Sequence, residues 1–167
     1  MNKQALLAQR EYFKMVHSVT VRSIAPLTDE EVNFRPRPEM RSLKDLFYHI
    51  YAMERNWAEN LPKGKVTQEE ENVVIPETSE AKAMLARLNT VAELQAFANE
   101  SHQMLDDTLG KMSEEDLAKI IETPFGSFPA WQIIAFTYDE HWHHRGQFYT
   151  YIRLLGQEPL MLYSYEN

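Results

Sequence analysis

The chain has 167 residues, with 17 Lys plus Arg against 25 Asp plus Glu, a formal net charge of −8. That length suits one domain over residues 1–167, and the acidic balance argues against gripping nucleic acid or an anionic membrane, both of which need clustered cations. There is no cysteine, which excludes a disulfide scaffold, a thiolate zinc site and a cysteine nucleophile.

The N-terminus, MNKQALLAQREYFKMV, carries charges throughout and has no apolar run of signal-peptide length. No stretch approaches the roughly 18 apolar residues of a membrane span. A soluble, cytoplasmic protein is therefore expected.

In chain order, helical periodicity predicts four long blocks. Block one runs from Lys3 to Ile24 and stops before Pro26. Asn33 to Pro38 reads as an extended connection. Block two opens at Ser42, an N-cap with Asp45 three residues on, and runs to Asn60, where Leu61-Pro62-Lys63-Gly64 ends it. Lys65 to Thr78 reads as a long polar, acidic loop with a mobile tip, with Val73-Val74-Ile75 as the one short extended stretch. Block three spans Ser79 to Lys111 with a break near Asn89-Thr90, where Thr90 and Glu93 offer a second capping box. A short helix is expected at Ser113 to Lys119, then a loop at Thr123 to Pro129. Block four runs from Pro129 to Leu155, with Pro at its first turn and Gly156 past its end. Four amphipathic helices with short and medium connections predict an all-α, four-helix bundle.

Block four carries most of the chemistry. On a wheel at about 100° per residue, Ile133, Ile134, Phe136, Phe148, Tyr151, Ile152, Leu154 and Leu155 form one face. Thr137, Glu140, His141, His144 and Gln147 fall inside the same stripe. A carboxylate and imidazoles placed where the pattern demands apolar side chains need a compensating partner. A divalent metal ion fits: Glu140 and His144 lie one helical turn apart, and His141 and His144 three residues apart. Imidazole with carboxylate suits zinc, nickel, iron or manganese. In block two His49 is the polar intruder among Leu46, Ile50, Met53 and Trp57. Asp45, one turn before it, can orient it or cap the helix. The alternative for this cluster is a buried Glu–His hydrogen-bonded network without metal. His17 and His102, flanked by apolar neighbours, read as core histidines bonded locally.

A second stripe of Trp131, Tyr138, Trp142 and Tyr149 recurs at spacings of seven, four and seven. It predicts a homodimer interface, with packing under residues 113–128 as the alternative.

The run from Asp139 to Gly156, with its HHRGQ core at 143–147 and a tail ending in RLLG, resembles the DinB/YfiT-like family. Ser42 to Ile50 is similar to that family's second-helix motif, which ends in a ligand histidine, and Thr123 to Gly126 is similar to the turn before its last helix. The resemblance implies a four-helix bundle holding a divalent metal through one histidine of helix two and two histidines four apart on helix four. By position these are His49, residue 140 and His144. The chain departs from the pattern because residue 140 is Glu140. Glu140 can still coordinate, giving a His–Glu–His set; otherwise His141 swings in, or the site is weakened. Characterised members of the family include transferases and isomerases that use low-molecular-weight thiols. The resemblance thus implies a metal-dependent transferase acting on an electrophilic substrate with a small thiol, or a hydrolase, with an open metal position. Zinc or nickel is the foremost metal, with iron and manganese behind. Gln147 and Tyr151 are expected beside the metal and the substrate pocket. A non-catalytic metal- or ligand-binding dimer is the alternative function.

Overall fold

The computed structural model describes residues 2–165. Four long helices form the bundle: α1 (Lys3–Ser23), α2 (Leu43–Asn60), α5 (Val91–Lys111) and α7 (Ala130–Leu154). Between α2 and α5 lie two short helices, α3 (Gln68–Asn72) and α4 (Ser79–Leu85), and α6 (Glu114–Ala118) follows α5. Helix α2 packs against both α5 and α7. Its stripe of Leu46, Ile50, Met53 and Trp57 is buried as the periodicity requires. The N-termini sit where the sequence puts them, because capping is local chemistry. Ser42 with Asp45, Thr90 with Glu93 and Ser113 with Asp116 each close a reciprocal capping box on α2, α5 and α6. Gly156, at φ 79°, ends α7 in the left-handed region that glycine adopts without strain.

Three expectations are corrected. Residues 123–129 are not a plain loop: Ile120–Thr123 and Gly126–Pro129 form an antiparallel hairpin, β1–β2, pairing Ile121 with Phe128. Its strands are four residues long, too short for period-two alternation to stand out from noise. Val73-Val74-Ile75 is no strand; it is the turn that closes α3, with the Val74 N–H donating to the Glu71 carbonyl. The 65–78 connection is more ordered than a free loop, since Thr67 and Glu70 close a capping box on α3.

The second aromatic stripe divides. Tyr149 is buried with its hydroxyl 2.7 Å from Ser23 Oγ, and Tyr138 packs on Phe13 at 4.5 Å between ring centroids. Both are covered by α1. Trp131 and Trp142 stay 40 % and 36 % exposed, and the Arg145 guanidinium lies 4.4 Å over the Trp142 ring. Leu154, expected in the core, is largely exposed. Among the described residues, no helix is long and apolar enough to cross a membrane.

Candidate metal centre

Helices α2 and α7 bring His49, Glu140 and His144 together, with one ligand atom from each lying within 4.8 Å of the others. Glu140 Oε2 is 3.0 Å from His144 Nε2 and 3.6 Å from His49 Nε2. The far nitrogen of each ring is already committed. His49 Nδ1 donates to the Val74 carbonyl at 2.7 Å, which leaves its Nε2 with a free lone pair when the ring is neutral. His144 Nδ1 donates to Gln147 Oε1 at 2.9 Å, while the Gln147 amide nitrogen faces His143 Nε2 at 3.2 Å. Two imidazole lone pairs and a carboxylate oxygen therefore converge on one point. Three acceptors pointing at one another repel unless something positive sits among them, either a proton on a ring or a cation. His144 and His49 together hold the Glu140 carboxyl well below the ordinary carboxylate range.

The donor set fits a divalent ion. Two imidazoles with fixed tautomers and one ionised carboxylate are borderline ligands suited to zinc and its neighbours. Each imidazole is oriented by a hydrogen bond on its far side, as metal-ligating histidines normally are. His49 is mostly buried, His144 is buried and Glu140 is 39 % exposed at its side chain, so the cluster opens on the bundle surface.

The other expected site residues go elsewhere. His141 is fully buried on a different side of α7, with Nε2 2.8 Å from Thr20 Oγ1 and Nδ1 3.5 Å from Glu54 Oε1. The 100° step between residues 140 and 141 turns its ring away from the cluster. Asp45 does not orient His49; it accepts from the Ser42 backbone and pairs with Arg35 at 2.8 Å. The orienting group is the Val74 carbonyl, a backbone atom with no side-chain signature. Gln147, by contrast, stays beside the cluster, bonded to His144. Tyr151 packs edge-on against Phe34 at 6.2 Å between centroids, in the core beyond the cluster.

Sequence reasoning missed Glu54. It is fully buried, accepts from His102 Nδ1 at 2.9 Å and faces His141. Burial works to raise its carboxyl, but the hydrogen bond from His102 and the nearby His141 outweigh that and hold it down at about 2. His17 stacks on His102 at 3.9 Å and bonds to Tyr51 and Asn99, so both histidines are core residues as expected. A glutamate four residues after Ile50 on the apolar stripe was the available signal. The bundle thus holds both arrangements considered above: a half-open triad, and a separate buried carboxylate–imidazole network.

A cleft of about 430 Å³ opens at the start of α2, lined by Arg35, Arg41, Lys44, Glu77 and Lys82 among others. On its lining, Arg41 binds the Glu77 carboxylate at 2.8 Å and holds it below its ordinary range.

The family model for DinB matches residues 1–167 of the chain. Among solved structures, a DinB-like protein from Bacillus subtilis (YjoA) is similar, with a TM-score of 0.71 at 17% identity, over 94% of this chain and 98% of that one. At that identity the likeness speaks for the fold alone. No curated protein matches the chain.

Proposed function

The chain belongs to the DinB family, and from that membership we propose that it is a divalent-metal-dependent enzyme whose ion is held by His49, Glu140 and His144. The reaction we favour is transfer of a small thiol onto an electrophilic substrate, with hydrolysis as the same chemistry using water. The observation that carries the reading is the convergence of two lone-pair nitrogens and a carboxylate oxygen on one point, with Val74 and Gln147 fixing both rings.

Three protein ligands leave room for a further group. A divalent ion held there would supply Lewis acidity, which lowers the pKa of a bound thiol or water and makes it a nucleophile at neutral pH. The protein's own contribution is orientation and charge. Val74 and Gln147 hold both imidazoles aimed, and Glu140 offsets part of the ion's charge. The chain has no cysteine, so a thiol nucleophile must arrive as a bound molecule. The neighbouring cleft has a mixed lining, with Arg35 and Arg41 paired to Asp45 and Glu77, and it offers Lys44 and Lys82 to an anionic part of such a molecule.

The test is direct. Protein stripped with chelator is assayed with small thiols and electrophiles, before and after reloading with zinc, nickel, manganese or iron. Turnover should appear only on reloading and be absent from His144→Ala. Stoichiometric metal binding with no turnover across the panel would replace this reading with a binding protein.

The chain is further proposed to pair as a homodimer. Trp131 and Trp142, three helical turns apart on one side of α7 and both partly exposed, support that.

A further inference from the structure

Helix α3 carries three successive glutamates. Glu69 is exposed, and Glu70 is spent on the capping box and on Lys63. Glu71 turns inward. Its Oε2 is buried and has no hydrogen-bond partner, and no lysine or arginine pairs with it among the described residues. Burial pushes its carboxyl up, and the charged neighbours that act on it are His49 and Glu140. The chain that follows Glu71 is tied to α2 beside the triad. The Tyr48 hydroxyl donates to the Val73 carbonyl at 2.6 Å and His49 Nδ1 to the Val74 carbonyl at 2.7 Å.

We propose that Glu71 is the fourth protein ligand of the centre, a carboxylate delivered by α3 to the divalent ion that His49, Glu140 and His144 hold. This rests on the metal reading above. A buried carboxylate oxygen with no donor and no cation costs free energy, and the charged groups that act on this one, His49 and Glu140, both belong to the triad. Glu71 stands outside the compact set of three. Its chain is held beside them, where the Val74 N–H donates to the Glu71 carbonyl and the Val74 carbonyl accepts from His49. Ligation therefore requires that its side chain move in on ion binding. A short helix between two loops can make that movement more readily than α2 or α7, which are packed along their lengths. The charge balance also fits: two carboxylates neutralise a divalent ion. Two imidazoles with two carboxylates make a harder set than the triad alone, one that accepts manganese or iron as well as zinc.

The experiment uses the full chain, freed of metal with chelator and titrated with Mn²⁺ and with Zn²⁺ by calorimetry. Visible spectra with Co²⁺ report the coordination. Glu71→Gln keeps the shape and removes the charge; Glu71→Asp keeps the charge and withdraws it by one methylene; Glu69→Gln is the exposed control. Both Glu71 variants should lose about tenfold or more in Mn²⁺ affinity and change the Co²⁺ bands, with the control unaltered. Metal-free Glu71→Gln should melt no lower than wild type, because it loses only an unpaired buried charge. Wild-type affinity and spectrum in Glu71→Gln would overturn the proposal. So would a loss in Glu71→Gln that Glu71→Asp fully restores with an unaltered spectrum, since the charge would then act only at a distance. If wild type binds none of these ions, or His144→Ala binds them equally well, the triad reading fails and this one falls with it.

Discussion

His49 and His144 meet edge to face, with ring centroids 4.7 Å apart and planes at 85°, and present their Nε2 atoms to the same oxygen of Glu140. One ring comes from α2 and the other from α7, so whatever occupies their meeting point clamps two helices of the bundle together. Binding and folding are therefore linked.

Adding zinc, nickel or manganese should raise the melting temperature of chelator-treated protein. At a free ion concentration about 100 times the dissociation constant, the gain is about 2.7 kcal/mol. His144→Ala should abolish the shift and Glu140→Ala should reduce it. His17→Ala and His102→Ala should leave stoichiometry unchanged, because those rings belong to the other network. Binding should weaken as pH falls, since protons compete for the imidazole nitrogens. Identical melts for wild type and His144→Ala with every ion would refute the site.

Gln147 holds His144 from behind at 2.9 Å. Gln147→Leu keeps the volume but removes the acceptor, freeing the ring to rotate or change tautomer. Metal affinity should fall by about 10- to 100-fold with little change in the metal-free melt. An unchanged calorimetric titration would show that the bond does not orient the ligand.

Glu54 is the counterpart in the core. Glu54→Ala removes the acceptor of His102 Nδ1 and the carboxylate facing His141, leaving both rings buried without it. The loss should be about 3–5 kcal/mol in denaturant unfolding, the range for breaking a buried pair. If the variant still folds, its metal stoichiometry should match wild type. A loss below about 1 kcal/mol, the range of exposed pairs, would mean that the network is not tightly held.

Acid should destabilise the fold in two steps. Burial, and then the neighbouring His102, push His17 down from 6.5 to about 4, and burial also lowers His141. A histidine lowered in the folded state binds its proton more readily unfolded. Its stabilising effect is therefore complete above pH 6.5 and is lost as pH falls from there towards 4. Glu54, held at about 2 against an ordinary 4.5, gives the second loss below pH 4.5. In melts taken across pH, His17→Gln should flatten the upper step and leave the lower one. Equal slopes for both proteins between pH 6.5 and 4 would contradict the assignment.

Trp131 and Trp142 should lie in the homodimer interface. Sedimentation at micromolar concentration should give a dimer mass for wild type and a monomer for a Trp131→Ser, Trp142→Ser double variant. A monomeric wild type would leave the two rings as ordinary surface aromatics.

What the sequence determined by itself was everything set by near neighbours. Ser42 with Asp45 and Thr90 with Glu93 mark helix starts because a cap is made within one turn. Glu140 and His144 share a face of α7 because the helical step places them there, and the HHRGQ run pointed through resemblance to His49 as their partner. Only the tertiary structure decided which intruders in the apolar stripes meet. His141 differs from His144 by less than one turn, yet one ring faces Glu54 and the other Glu140 and His49, because the two meet α2 at different levels. Glu54 finds His102 across 48 residues of chain, and His49 is oriented by a backbone carbonyl 25 residues away. Tyr138 and Tyr149 read as a free stripe until α1 covers them with Phe13 and Ser23. Caps and spacing are short-range and leave a pattern in the letters. A buried charge is compensated by whatever the packing brings within hydrogen-bonding distance, and that partner has no fixed offset along the chain.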